Sequence, residues 1–273
     1  MAYVNGNKPI ITNGLVYALD FGNLKSYTSG ANTARSLVYD TAVTTVTGSS
    51  GLPTLVNGVL NITSSQFIRR TGSLDSIDPN GAFTISLVAK PNTVGSLLTQ
   101  NLTGKVFQIQ STPSSSNIGF NLGTGTYSRT IPGFNSSSLQ HISFRYNSGS
   151  IDTFLNGIPV TSSIANASLL PTGQLNALFF GSGSNSFSGS LANLYVYNRA
   201  LTPDEIYENY LVMAGRYGLP VVSKPYSIDE NLYQWIQATN TTDTNIISAI
   251  STFISGLKSA GLRNKIQVIY PFV

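Results

Sequence analysis

The chain has 273 residues, enough for one large β-sandwich with an appendage, and only 10% of them are charged, 15 basic against 11 acidic for a formal net charge of +4. An average soluble domain carries roughly 25% charged residues, so Ser, Thr, Asn and Gly supply the surface polarity here, as suits an extracellular or particle-bound protein. Cysteine is absent and His141 is the single histidine, which excludes disulfides and thiolate chemistry and leaves little to hold zinc.

Residues 1–14 show no charged segment followed by an apolar one, and no stretch approaches about eighteen apolar residues, so neither Sec export nor membrane insertion is expected. From residue 15 to about 197 the chain reads as short apolar-alternating runs broken by Gly, Asn, Ser and Pro, the pattern of an all-β sandwich. Strands are predicted over 15–20, 59–62, 83–89, 106–110, 118–122, 141–146, 151–155, 177–180 and 189–197. Arg69 and Arg70 are the only adjacent basic pair and read as two solvated arginines at a strand end, so nucleic-acid binding is not expected. Between the runs 150–155 and 158–160 stands Asn156-Gly157, two residues that adopt positive φ cheaply, and a tight hairpin is predicted there. The segments 111–117 and 182–188 read as Ser/Gly/Asn-rich loops.

A helical period begins at Thr202-Pro203-Asp204-Glu205, where Thr caps, Pro tolerates the first turn and Glu205 completes a capping box. The helix is predicted to end near Ala214, with Gly215 as its left-handed terminator. Residues 219–225 read as an extended linker held by Pro220 and Pro225. A second capping box at 227–230 opens a short helix through Leu232, Trp235 and Ile236. A third helix from Thr242 or Asp243 to Gly261 carries Ile246, Ile247, Ile250, Phe253, Ile254 and Leu257 at helical spacing, before a β-like run over 266–273. The organisation is therefore a mainly β unit over 1–218, with its closing helix at 203–214, and a helical segment over 219–273 that ends in a strand.

Chemistry-bearing patterns are sparse. The paired-carboxylate spacing of a glycoside hydrolase strand is absent, and Asp75, Asp78, Asp204, Glu205, Glu208, Asp229 and Glu230 sit where turns and helix starts explain them. His141 lies in a strand flanked by apolar Ile142 and Phe144 without a motif linking it to a Ser or a carboxylate, so a structural histidine is expected. An enzyme is therefore not expected, a glycoside hydrolase being the weakest of the alternatives.

The run 187–210, FSGSLANLYVYNRALTPDEIYENY, resembles the closing segment of laminin-G-like, concanavalin A-like domains, with Phe187, Gly189, Leu191, Tyr197, Asn198, Arg199, Ala200, Leu201, Glu205 and Ile206 in the family's places. The opening 13–27, NGLVYALDFGNLKSY, is similar to the first strand of that family, and LQHISFRYNSGSIDTFLNG to its central hairpin, so the likeness spans roughly 13–215. It implies an antiparallel jelly-roll β-sandwich. The tail resembles a segment recurrent in bacteriophage structural proteins, through a helix, Leu257-Lys258, Gly261-Leu262 and Tyr270-Pro271. That likeness implies a non-enzymatic virion component, assembled in the host cytoplasm without a signal peptide, on the capsid or the tail.

Two kinds of site follow. The family's sugar or calcium sites lie in loops at the sandwich rim, where Tyr127, Phe134 and Tyr146 offer stacking surface and Asp20, Asn121 and Asp152 offer oxygens; core packing and turn formation account for all six equally well. Host surface glycans are the corresponding partners, with calcium left open and no other cofactor or metal expected. For assembly, the candidate residues are Trp235, Ile246, Ile250, Phe253, Leu257, Tyr270, Phe272 and Val273, since a helical segment this small has little core of its own and must lean on its sandwich or on another subunit. Oligomerisation and contact with other virion proteins are expected.

Overall fold

The computed structural model describes residues 9–38, 44–63, 65–74, 81–92, 95–102, 105–112, 117–123, 125–130, 134–147, 149–160, 175–180, 188–222 and 244–260. They form two antiparallel eight-stranded sheets. The first contains β1 (Leu15–Asp20), β4 (Thr54–Val56), β5 (Val59–Ile62), β7 (Phe83–Pro91), β12 (Gln140–Asn147), β13 (Ser150–Leu155), β14 (Ile158–Pro159) and β16 (Gly189–Tyr197). Its order is β14-β13-β12-β7-β16-β5-β4, with β1 also paired to β16. The second contains β2 (Thr33–Ala34), β3 (Thr44–Gly48), β6 (Gln66–Leu74), β8 (Gly95–Leu102), β9 (Lys105–Thr112), β10 (Asn117–Gly123), β11 (Gly125–Thr130) and β15 (Leu175–Phe180), in the order β11-β10-β9-β8-β15-β6-β3-β2.

Strand alternation decides which residues face where. In β7 and β12, Phe83, Ile85, Leu87, Ala89, Ile142, Phe144 and Tyr146 join Val46 of β3 and Ile68 of β6 in the core between the sheets. The intervening positions, Val88 of β7 among them, face the other way and are covered by helix α1 (Pro203–Tyr217), whose Ile206, Tyr210, Met213 and Ala214 pack on Ala18, Val88, Phe154, Ala192, Tyr195 and Tyr197. The first sheet therefore has two buried faces. Within β16 a bulge between Leu191 and Asn193 resets the alternation, and the Asn193 side chain accepts from the Val88 N–H at 3.0 Å, so the irregular point stays hydrogen-bonded.

The predicted strands are all present, three of them with the predicted bounds. The hairpin forms with Asn156 at φ 49° and Gly157 at φ 76°, and Gly157 also fits because a Cβ there would stand 2.8 Å from the Tyr210 ring. Two expectations are corrected. Arg70 is buried within β6 rather than solvated at a strand end, with its guanidinium 5.4 Å above the Tyr17 ring. Helix α1 runs one turn past Ala214, and Gly218, at φ 63°, is the left-handed cap in place of Gly215. The extra turn exists because the ends of its side chains are tied down. Arg216 pairs with the buried Asp20, and the Tyr217 hydroxyl donates to the same carboxylate at 3.0 Å.

A second helix, α2 (Thr244–Ser259), occupies most of the predicted third helical segment. The segment 161–174, the helix predicted from 227, the terminal run 266–273, and most of the 111–117 and 182–188 loops lie outside the described residues.

Candidate functional site

The segment that closes the sandwich is a clamp. Arg199 donates to both oxygens of Glu205, at 2.7 and 2.6 Å, and to the carbonyl of Asn13 at 3.0 Å. Glu205 in turn completes the capping box with Thr202, accepting from the Thr202 N–H at 2.9 Å while its own N–H donates to the Thr202 hydroxyl at 3.2 Å. The hydrogen bond from Arg199 holds the Glu205 carboxyl below its ordinary value. Leu201 donates to the Thr84 hydroxyl at 2.9 Å, which itself donates to the Arg199 carbonyl at 2.9 Å. The Tyr-Asn-Arg-Ala-Leu-Thr run is thus a device for fixing α1 across the first sheet.

Beneath α1 lies a layer of buried polar side chains. Arg145 makes a forked contact with Asp152, from Nε at 2.9 Å and Nη2 at 2.7 Å, and Nη1 donates to the Leu201 carbonyl at 3.2 Å. Both side chains are almost fully buried, at 3% and 5% exposure. Register places Ser143 of β12 opposite Ser86 of β7, and Ser143 donates to Ser86 at 3.0 Å. Ser86 stands 2.7 Å from His141 Nε2. Nε2 thus shares a hydrogen bond with Ser86, while Nδ1 meets no hydrogen-bond partner among the described residues. Burial pushes the His141 pKa down to about 3, so the ring is neutral at ordinary pH. The Ser86–His141 pair has the atoms of a nucleophile and its base but no approach for a substrate, since Tyr210 covers the ring at 5.9 Å between centroids.

An accessible concavity among the described residues lies elsewhere on the same face, where the sheet extends past the C-terminal end of α1. A cleft of about 490 Å³ opens there, within the size range of ligand pockets. Val56, Val59 and Leu139 supply its apolar part, and Asn57, Asn61, Ser137, Ser138 and Ser190 its amides and hydroxyls. Lys90 stands at the end of β7, and Arg216 and Tyr217 close the cleft from the helix; no carboxylate is among its described lining residues. The close approach of two glycines shapes its wall. Gly58, at φ 76° in the β4–β5 turn, is so near Gly22 that a Cβ would lie 2.9 Å from the Gly22 Cα. A Cβ on Gly22 would in turn meet the Arg216 guanidinium at 2.6 Å.

Sequence reasoning did not reach this cleft, because its residues come from five separated stretches and none of them forms a motif. Of the residues predicted to touch glycan, Phe134 and Tyr146 are 6% and 4% exposed and belong to the core between the sheets, where Tyr146 stacks on Phe83 at 5.3 Å. They offer no stacking surface at the rim: Tyr146 sits at an even-numbered position of β12, which faces the opposite sheet, and Phe134 packs into the same core from the segment before that strand. The side chains of Tyr127 and Asn121 lie outside the described residues. Asp20 and Asp152, proposed as oxygen donors, are both buried against arginine. Among the described residues no group of three or more His, Cys, Asp or Glu side chains stands together as a metal site.

In α2 the buried side chains are Ile247, Ser251 and Ile254, of which Ile247 and Ile254 belong to the predicted stripe but not to the residues expected to serve assembly. Ile246, Ile250 and Leu257 are half-buried and Phe253 is 53% exposed. Neither cluster of buried side chains in the sandwich includes a residue of α2. Trp235, Tyr270, Phe272 and Val273 lie outside the described residues. No described helix is long and apolar enough to cross a membrane.

No curated protein matches the sequence. Solved structures with the same fold include domain 4 of AbnA, a GH43 extracellular arabinanase from Geobacillus stearothermophilus in complex with arabinotriose, at 18% identity and a TM-score of 0.53 over 72% of this chain and 98% of that one. The binding domain of botulinum neurotoxin DC in complex with rat synaptotagmin II gives 12% and 0.57 over 72% of this chain and 51% of that one. The Trypanosoma rangeli sialidase in complex with sialic acid gives 14% and 0.59 over 79% and 36%. The chain thus spans about half of the neurotoxin domain and about a third of the sialidase, and at these identities the likeness is one of fold. Residues 63–207, just over half of the chain, match the family model described as the concanavalin A-like lectin/glucanases superfamily. That stretch runs from the strand holding Arg70 to the capping box of α1, and with the sandwich built around it the chain belongs to the concanavalin A-like lectin/glucanase superfamily.

Proposed function

We propose that the chain is a non-enzymatic component of a bacteriophage-type particle that presents its sandwich for recognition of surface glycans. The observation that carries this reading is the division of labour on the first sheet. The histidine, the serines beside it and the Asp152 carboxylate are sequestered under α1, and the described lining of the open cleft next to them holds amides, hydroxyls and cations but no acid. Most glycoside hydrolases use two carboxylates flanking the scissile bond. A cleft whose described lining holds none suits binding better than cleavage.

Carbohydrate- and receptor-binding domains and glycosidases share this fold, so the recognition half of the reading rests on the cleft and not on the fold. The particle half rests on the resemblance of the tail to phage structural proteins, on the neutral polar surface, and on α2, whose Phe253 is exposed beside half-buried Ile246, Ile250 and Leu257. An apolar stripe of this kind suits attachment to another virion subunit. Gold-labelled antibody against the chain, applied to purified particles from a lysate that expresses it, is expected to decorate the particle at regular positions. Unlabelled particles with the protein left in the supernatant would contradict attachment and favour a free adhesin.

A further inference from the structure

We infer that the cleft at the end of α1 is a site for a carboxylated pyranose, a uronic-acid residue of an acidic surface polysaccharide. This deepens the glycan-recognition reading and rests on it. Three features of the cleft converge on that ligand class.

The first is charge. Of the two cations lining the cleft, Arg216 is already matched, since it pairs with Asp20 and lies 5.2 Å over the Tyr217 ring, and Tyr217 donates to the same aspartate. Lys90 is the second, and no described lining residue is acidic, so the described lining carries about one positive charge not balanced from within. The second is hydrogen-bonding capacity. Ser190 is nearly buried and donates to Asn61 Oδ1 at 2.7 Å, which fixes the Asn61 amide and leaves its NH₂ group as a donor to a bound molecule. Asn57, Ser137 and Ser138 add groups that both donate and accept, as sugar hydroxyls require. The third is the apolar part: Val56, which is 54% exposed, with Val59 and Leu139, gives a surface for the C–H face of a pyranose ring. A neutral sugar would use the second and third features and leave Lys90 unanswered, whereas a carboxylate uses all three.

The test compares methyl β-D-glucuronide with methyl β-D-glucoside, which differ only in the carboxylate, by following backbone amide signals of the intact chain during titration. The glucuronide is expected to shift Asn61, Lys90, Ser190 and Tyr217 and to bind about fivefold more tightly than the glucoside, a margin that shrinks as salt is raised. Lys90→Gln, at a half-buried surface position, is expected to fold normally and to bring the two affinities within about twofold. Asn61→Asp keeps an acceptor for Ser190 but removes the NH₂ donor and adds a negative charge, and is expected to weaken both sugars, the glucuronide more than the glucoside. Equal binding of the two sugars would overturn the inference and leave glycan recognition standing. Shifts confined to another part of the sandwich, or none with either sugar, would overturn it as well, whatever the particle labelling shows.

Discussion

The inner and outer faces of the first sheet come from the same strands, residue by alternating residue, yet different interactions hold them. The inner face is mostly apolar from β13 to β16 and closes on the second sheet chiefly by burial, with Tyr17 adding a hydrogen bond to Thr44 and a contact with Arg70. The outer face, under α1, buries Thr84, Ser86, His141, Ser143, Arg145, Asp152 and Asn193, each of them engaged by a partner. An apolar face tolerates loss in proportion to the volume removed. A polar face fails when one member of a pair is removed, because the other is left buried and unmatched. The groups that look catalytic in a sequence are on this second face, and the helix that buries them is what makes them structural.

The largest expected effect separates the two faces directly. Arg145→Met or Asp152→Leu alone should cost about 3–5 kcal/mol in urea unfolding, since each strands a buried charge, while the double replacement should recover most of the loss. Leu87→Ala on the inner face should cost about 2–5 kcal/mol and be recovered by no second deletion. Additive losses for the Arg145 and Asp152 replacements would mean that the pair is not coupled.

The pH dependence sharpens the same contrast. The folded His141 pKa of about 3 lies below the ordinary value of 6.5, so the unfolded chain takes up the proton first. The stability that depends on a neutral His141 is fully present above about pH 6.5 and is lost as pH falls toward 3, at up to about 1.4 kcal/mol per pH unit. Because the chain has one histidine, His141→Gln should flatten the slope between pH 6 and 5, where Glu205 with its lowered pKa does not yet titrate. An unchanged slope in that variant would show that the ring is hydrated. A smaller effect is expected at the clamp, where Thr202→Ala removes one half of the capping box and should cost about 1 kcal/mol, read as a fall in the urea midpoint without a change in slope.

The same contrast explains what could be read in advance. β1, β5 and β16 are legible because apolar alternation is bounded by Gly and Asn, and the Asn156-Gly157 turn because its two residues have few other uses. β3 and β6 are not, because Thr-rich TTVTG has little apolar contrast and the buried Arg70 interrupts the alternation of its strand. The end of α1 was misplaced because Gly215 is the first glycine after the periodic run, and only Asp20, nearly two hundred residues away, gives Arg216 and Tyr217 a reason to stay helical. The Ser86–His141 contact is set by strand register across fifty-five positions, and no local spacing records it. The cleft is a product of tertiary structure altogether, since Gly22, Gly58, Lys90, Ser190 and Tyr217 meet only when the sheet and helix are assembled.

Incubation of the intact chain with purified capsular and cell-wall polysaccharides, with retained polysaccharide and new reducing ends measured on one sample, tests most directly whether the cleft beside a sealed polar layer recognises sugars without cutting them. Polysaccharide retained on the protein with reducing ends no higher than in buffer is the predicted result. Reducing ends that rise in proportion to the protein added would contradict it.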